Sequence, residues 1–502
     1  MKRDETPADG HSIAQILKST LLIGGSSVVN VAFSIFRNKA VAVMLGPEGI
    51  GLMGLYNSVI DIAQTLAGLG VQSSGVRQIA EATGTGEPDR IARTARIVGR
   101  LSIVLAVLGT LLLAALAVPV ATLTFGDHQH AVGVILLSVA VFFRLAAGGQ
   151  QALIQGMRDI SSLARINVLS ALFSTVLTIP LVYFFGTGGI VPSIVAVAAA
   201  MLLVSWWYGR KIGLTDPANA TGLYGPEAVA LLRLGFVFMV SGVLTFGSAY
   251  AIRIIIMHAN GVVAAGLYQA AWALGGLYAG FILQAMGTDF YPRLTAISRD
   301  NTACNQLVNE QAQISMLLAG PGVLATLTFA PLAMWLFYSP EFHPAVNLLR
   351  WISLGMMLRI ISWPMGFIVL AKGANWTFFW TDIAATVVHV GLAWLLVDRF
   401  GAIGAGAAFF GLYVWHSILI YILVRRLSGF RWSLANRNLC LIFLTLSALI
   451  FCATQFLPLW LATVLGSLAV LGTGLYSLKM LAGLVPLASL PAPIRTWISR
   501  FA

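Results

Sequence analysis

Residues 20–38, TLLIGGSSVVNVAFSIFRN, decide how this chain folds. The run is apolar and long enough to cross a bilayer as one helix, which takes roughly 20 residues for ~30 Å of hydrocarbon. Within it Ser27, Asn30, Ser34 and Arg37 recur at spacings of three and four residues, which puts them on one helical face. A charge near the bilayer centre costs on the order of 2.5–3.5 kcal/mol on insertion scales. The stripe is therefore expected to turn from lipid toward protein or a water-filled cavity.

The rest of the chain has the same character. Of its 502 residues 58% are hydrophobic and 10% charged, against about 25% charged in soluble domains. The mean hydropathy is +0.88. These values exclude a soluble domain and imply an all-α polytopic membrane protein. The formal charge of +12 reads as loop charge that sets topology, not as a nucleic-acid footprint, because no basic motif or aromatic platform accompanies it. Cys304, Cys440 and Cys452 lack metal-ligand spacing. No dinucleotide, Walker or zinc motif occurs. No cofactor, metal site or catalytic residue is expected. The N-terminal MKRDETPADGHSIAQILKST is too long and polar for a secretory signal and reads as a tail before a retained helix.

About fourteen apolar stretches of spanning length follow one another. Lys and Arg alternate with them on one side only: Lys2, Arg3 and Lys18; Arg77 to Arg100; Arg158 and Arg165; Arg210, Lys211 and Arg233; and so on to Arg500. The opposite loops carry only Arg399. By the positive-inside rule both termini are expected in the cytoplasm. Trp206, Trp207 and Tyr208 fit an inner interfacial belt.

The first six spans resemble the next six. At an offset of 212, Gly54-Leu55-Tyr56 matches Gly266-Leu267-Tyr268, and Gln72 matches Gln284. At an offset of 215, Arg144 matches Arg359, Phe185-Gly186 matches Phe400-Gly401, and Gly189 matches Gly404. An even-numbered unit gives parallel repeats. The expected layout is a tail (1–17), a first lobe of six spans (18–211), a linker (212–229), a second six-span lobe (230–427), two extra spans (428–485) and a tail (486–502). The two lobes would surround a central cavity.

Arg37 falls one residue from the counterpart of Arg253 in this register, with Lys39 beside it, and Arg144 pairs with Arg359 at mid-depth. Paired cations from two lobes suit an anionic ligand, and the guanidinium fork matches phosphate oxygens. Snorkelling or ion pairing is the structural alternative, easier for Arg37 and Lys39 near a helix end than for Arg144 and Arg359. A second stripe holds Asn57, Asp61, Gln64, Gly68 and Gln72. Asp61 is placed to pair with Arg37 or Arg144, or to titrate as an ion-coupling site; its counterpart is Ala273. Asp382 is expected to pair with Lys372. Asn30, Asn57 and Gln269 are candidates for sugar hydroxyls, or helix–helix hydrogen bonds. His389 and His416 read as packing residues, and Pro292 and Pro364 as breaks or kinks.

GPEGIGLMGLYNSV at 46–59, VQSSGVRQIAEA at 71–82, QGMRD at 155–159 and LAKG at 370–373 resemble Wzx-type polysaccharide flippases. Those belong to the multidrug/oligosaccharidyl-lipid/polysaccharide exporter superfamily, and the O-antigen and enterobacterial common antigen translocases are the most similar. The resemblance implies transport of undecaprenyl-diphosphate-linked oligosaccharide across the bacterial inner membrane, from the cytoplasmic to the periplasmic leaflet, by alternating access. It implies basic cavity residues at Arg37, Lys39, Arg253 and Arg359, contact with membrane lipid, and a polysaccharide polymerase and chain-length regulator as partners. Related lipid II flippases have fourteen spans, the last two bordering a lipid groove, so lipid II is the near alternative. A drug exporter of the same superfamily would want an acidic or apolar cavity. A membrane glycosyltransferase or O-antigen polymerase would want a large outer loop, whereas the outer loops here are short.

Overall fold

The computed structural model describes residues 8–85, 87–213, 225–286 and 290–484, and their side chains except 8–25, 27, 278, 281, 284, 285 and 484. The expected tails up to residue 7 and beyond 484, most of the linker, and the side chains of Ser27 and Gln284 lie outside the described residues. Among the described residues the chain is helical with no strand. The helices are α1 (Ala8–Gly68), α2 (Val71–Thr85), α3 (Pro88–Ala115), α4 (Ala117–Phe125), α5 (Ala131–Gly156), α6 (Ile160–Phe185), α7 (Ile190–Arg210) and α8 (Pro226–Ala285). They continue as α9 (Tyr291–Ala296), α10 (Asn301–Thr328), α11 (Ala330–Phe337), α12 (Ala345–Ala371), α13 (Asn375–Phe400), α14 (Ala402–Ser428), α15 (Leu434–Phe456) and α16 (Leu459–Leu484).

Ten helical runs among the described residues are long and apolar enough to cross a membrane, or eleven if α10 and α11, bent by 80°, are taken as one. The fourteen stretches in the sequence outnumber them for a physical reason. Three runs are 41, 51 and 52 residues long, and at ~1.5 Å per residue each is about twice the thickness of a bilayer. Each is interrupted. α1 breaks at Gly46 (φ 63°) and α8 at Gly261 (φ 83°). α6 and α7 are separated by the tight turn Gly186–Gly189. A left-handed φ is strained for any residue with a Cβ, and glycine avoids that strain.

These breaks repeat. Gly46 and Gly261 stand 215 residues apart, as do Gly186 (φ 57°) and Gly401 (φ 62°). A Cβ on Gly189 would lie 2.2 Å from Leu181 O, and one on Gly404 2.2 Å from Leu396 O. The register seen in the sequence thus recurs in backbone conformation and in helix contact. Pro364 sits inside an unbroken α12, and Pro292 stands in the first turn of α9.

By its contacts the chain divides into two units, Met1–His258 and Ala259–Ala502. In the first, α5 packs between α3 and α7, and α6 lies along α1. Val71, Ile79, Val98, Ala152 and Leu231 form a buried core there. Leu231 brings the start of α8 into this unit, where Gly235 meets the turn before α2: a Cβ on Gly70 would be 2.1 Å from Gly235 O. In the second unit α12 packs on α14 and α10, and α10 on α15 and α16. Met286, Phe290, Val308, Ile368, Val424 and Phe430 are fully or almost fully buried in its core. Asp159 caps α6 through Ser162 N (3.1 Å), and Asp300 caps α10 through Thr302 N (2.8 Å).

Candidate functional site

Asn57, Asp61, Gln64 and Gly68 of the stripe lie on the second half of α1, one helical turn per step or nearly so, and Gln72 follows in the first turn of α2. In the first unit the stripe forms a wall. Asp61, Gln64, Gly68 and Gln72 line a cavity of about 380 Å³ together with Ser73, Ser102 and Ser241 from α2, α3 and α8. The lining alternates amides and hydroxyls with Leu105, Leu145 and Phe238.

Arg144, on α5, donates to Asp61 Oδ1 at 3.0 Å and to Asn57 Oδ1 at 3.3 Å. Asn57 in turn donates to Met53 O at 2.8 Å, which fixes its amide. Of the two pairings open to Asp61, the structure selects Arg144. Arg253 on α8 is close enough to act electrostatically on the same carboxylate, while its Nη1 donates to Ala249 O at 3.1 Å. An ion pair in a membrane protein is strong when water is excluded and weak when it is not. The side chains here are 25% (Arg144) and 39% (Asp61) exposed, so the pair is embedded but partly open; Asp61 borders the cavity, while Arg144 and Asn57 are not among its lining residues.

Arg37 is held elsewhere. Its Nη1 donates to Ser174 Oγ of α6, and its Nη2 to Asn38 Oδ1 at 3.3 Å. Thr175 Oγ1 donates to Phe33 O at 3.3 Å alongside. Lys39 is half-buried on α1, and Asn30 is exposed. None of the three lines the cavity that Asp61 borders.

Arg359 and Gln269 belong to the second unit. Arg359 lies over the Trp363 ring, 4.7 Å from its centroid, and 5.8 Å from that of Tyr413. Its Nε is buried with no hydrogen-bond partner. Tyr413 stacks edge-on to His416 (5.7 Å) and to Phe409 (5.0 Å), which contacts His389 (5.7 Å). The two histidines are thus packed among aromatic rings. Gln269 is half-buried on α8, next to Tyr268, which stacks on Trp272 at 6.0 Å. Lys372 donates to Ser298 O (2.6 Å) and to Asn301 Oδ1, not to Asp382. The expected Asp382–Lys372 pair is corrected: the carbonyl at the end of α9 and a side chain at the start of α10 are the lysine's partners. Asp382 instead acts on Tyr413.

Sequence reasoning missed Ser102 and Ser241 as cavity residues and Trp363 as the seat of Arg359. The serines gave no periodic signal. Trp363 did, standing four residues after Arg359, one helical turn away.

A family profile described as "Polysaccharide biosynthesis protein" matches residues 40–347. A lipid III flippase of Escherichia coli (strain K12) is 22% identical over 430 residues, 82% of this chain and 99% of that protein. Among solved structures, "Lipid II flippase MurJ, inward closed conformation" has a TM-score of 0.70 at 14% identity, over 92% of this chain and 99% of that one. An inward-facing MATE family transporter of the MOP superfamily has a TM-score of 0.68 at 18% identity, over 80% of this chain and 94% of its own. The helical architecture is therefore one that this chain shares with those two structures. With more than half of its length matched by the profile, the chain belongs to the polysaccharide biosynthesis protein family.

Proposed function

We propose that this protein is a flippase. It carries an undecaprenyl-diphosphate-linked oligosaccharide from the cytoplasmic to the periplasmic leaflet of the bacterial inner membrane, by alternating access, for a surface polysaccharide such as O-antigen. The observation that carries this reading is the Asp61–Arg144 pair: Asp61 lines an amide- and hydroxyl-rich cavity, and Arg144, bonded to Asp61 and Asn57, stands behind it next to the lining Leu145. The names of the similar flippases support it.

The physical need is neutralisation. A bare diphosphate is costly in hydrocarbon, and fixed guanidiniums with hydrogen-bonding groups replace its hydration. A headgroup phosphate would compete with Asp61 for Arg144. Asp61, once displaced, is free to take a proton or cation, which makes it the coupling candidate. Arg253 adds charge to the same region, and Arg37 and Lys39 serve the path toward the outer face. Asn30, Asn57 and Gln269 are assigned to sugar hydroxyls, and Arg359 to the second repeat's share of headgroup binding. The apolar groove of about 490 Å³ between α15 and α16, lined by Leu449, Phe456 and Leu465, suits the polyprenyl chain. Orientation follows the positive-inside rule, with both termini cytoplasmic, lobes at 18–211 and 230–427, and fourteen crossings. A polymerase and a chain-length regulator would act on the delivered product.

The test is complementation of a strain lacking its own lipid III flippase. Wild type should restore surface polymer. Arg37→Ala and Arg253→Ala should each leave lipid-linked precursor on the inner leaflet; full polymer from a well-expressed double variant counts against the reading. Lipid II is the second reading, favoured by the greater share of this chain covered by the lipid II flippase structure. Rescue of a strain lacking its lipid II flippase, with no rescue of the first strain, would select it.

A further inference from the structure

Several amides of this chain are engaged by the protein itself. Gln151 donates to Ser205 Oγ (3.2 Å), Gln311 to Ser315 Oγ (3.2 Å) and Asn436 to Asn309 O (2.8 Å). The cavity beside Asp61 is different. Gln64, Gln72, Ser73, Ser102 and Ser241 line it, and among the described residues their side chains make no hydrogen bond. Ser102 is only 6% exposed. Its hydroxyl is an unpartnered group almost removed from water, which is costly unless something in the cavity answers it. Small residues make the room. A Cβ on Gly148 would lie 3.1 Å from Gln72 Oε1, one on Gly149 2.8 Å from Ser102 Oγ, and one on Gly242 2.8 Å from Thr65 Cγ2. Larger residues there would press on the side chains that carry the polar atoms.

The charge around the cavity narrows what fits. Among the described residues the lining holds no Lys or Arg, and Asp61 is its one charged group. Arg144 reaches Asp61 Oδ1 from outside the lining, which leaves Oδ2 on the cavity side. A phosphate finds no cation on this wall, and a carboxylate finds a like charge. An uncharged, hydroxylated ring finds donors and acceptors from the glutamines and serines and a strong acceptor in Asp61. Phe238 and Phe246 of α8 supply aromatic surface for the C–H face of such a ring. The volume, about 380 Å³, lies within the ~300–1,000 Å³ of pockets that bind small ligands, and an apolar lining with a few placed polar groups is their usual chemistry.

We infer that the cavity beside Asp61 seats an uncharged sugar of the transported lipid and turns away acidic sugars. Gln64 and Gln72 read its hydroxyls from one wall, Ser102 and Ser241 from the facing helices, and Asp61 both accepts from a hydroxyl and repels a sugar carboxylate. Specificity is a difference of affinities, and a like charge set against the wrong ligand supplies it. Arg144 stands outside the lining, so phosphate and sugar do not compete for one seat. The inference rests on the flippase reading for its ligand, and it adds which sugars that ligand carries at this seat.

The test is native mass spectrometry of the purified full-length protein in detergent with three lipids of one polyprenyl chain in equal amounts: the bare diphosphate, the diphosphate carrying glucose, and the diphosphate carrying glucuronate. The last two differ only in a hydroxymethyl against a carboxylate. Wild type should retain the glucose lipid roughly tenfold over each of the others. Gln64→Leu and Gln72→Leu should each remove a threefold to tenfold share of the preference over the bare diphosphate, the worth of about one hydrogen bond. Retention of the bare diphosphate should hold, which shows the variants folded. Ser241→Val, at an exposed place in the lining, gives the same readout without altering a buried side chain. Asp61→Asn should abolish the preference for glucose over glucuronate. Gln155→Leu, an exposed amide of α5 outside the lining, should change neither ratio. Equal retention of the glucose and glucuronate lipids by wild type overturns the inference, as do undiminished preference in the three lining variants and equal loss in the Gln155 control. Those results leave the flippase reading standing; retention of none of the three lipids ends both.

Discussion

Arg144 and Arg359 stand 215 residues apart at matching positions of the repeat, yet they are held by different chemistry. Arg144 has a carboxylate at 3.0 Å and an amide oxygen at 3.3 Å. Arg359 lies on a tryptophan face with a tyrosine ring nearby. The cause is one substitution: Asp61 in the first repeat corresponds to Ala273 in the second. With the counter-ion gone, aromatic quadrupoles do the stabilising. The lesson is that one inherited position can hold either an exchangeable ion pair or a permanently positive, aromatic-seated cation. Only the first offers a carboxylate for a ligand to displace.

The contrast can be broken. Asp61→Ala strands Arg144 and should cost about 2–3 kcal/mol, below the 3–5 of a fully buried pair because Asp61 is 39% exposed. Thermal unfolding in detergent reads it, and the double variant with Arg144→Ala should be milder than Asp61→Ala alone. A double variant as costly as the sum would show that the two residues do not interact.

Where the repeats agree, matched changes should cost the same. Gly46→Ala and Gly261→Ala each place a Cβ at positive φ, worth about 1–2 kcal/mol. At Gly261 that Cβ meets no neighbour, so the penalty there is torsional alone. Unequal losses would mean that the two kinks are only superficially alike.

Arg359→Gln should cost about 1 kcal/mol, the scale of a cation–π contact, with Arg359→Lys closer to wild type. A loss as large as that of Asp61→Ala would erase the distinction between the two cations.

The smallest effect sharpens the picture at the loop between α4 and α5. Asp127 accepts from the His130 ring at 2.9 Å and from Gln129 N at 3.0 Å. The His130 hydrogen bond, foremost, holds its carboxyl below the usual carboxylate range. A native value lowered in this way contributes order above the unfolded value and loses it as pH falls through the native one. Asp127→Asn should therefore loosen the 126–131 turn slightly at neutral pH, read by proteolytic nicking there. The difference from wild type should begin to shrink below about pH 4 and vanish only below the lowered native value. A difference independent of pH would remove the carboxylate from the account.

Much of this was legible in the residues. The stripe Asp61, Gln64, Gly68 and Gln72 announced a wall by its spacing, and the wall lines a cavity. Phe185-Gly186 and Phe400-Gly401 announced a repeat, and both glycines adopt the same left-handed turn. Arg37 was legible as a polar-face residue but not as a neighbour of Ser174, 137 positions away. Periodicity reports which face a residue shares, never what packs against that face.

The sequence by itself determined the solvent and the element type: a chain this apolar must satisfy its backbone internally in lipid, and helices do so without partners. It also determined the repeat, because glycine spacing and arginine spacing are written along the chain. Tertiary structure alone decided that Asp61 answers Arg144, that Lys372 turns to Ser298 and Asn301, and that Ser102 and Ser241 join Gln64 and Gln72 around one cavity. Those outcomes depend on which helix faces meet and at what depth. Contacts between distant segments arise from packing in three dimensions, and no one-dimensional period encodes them.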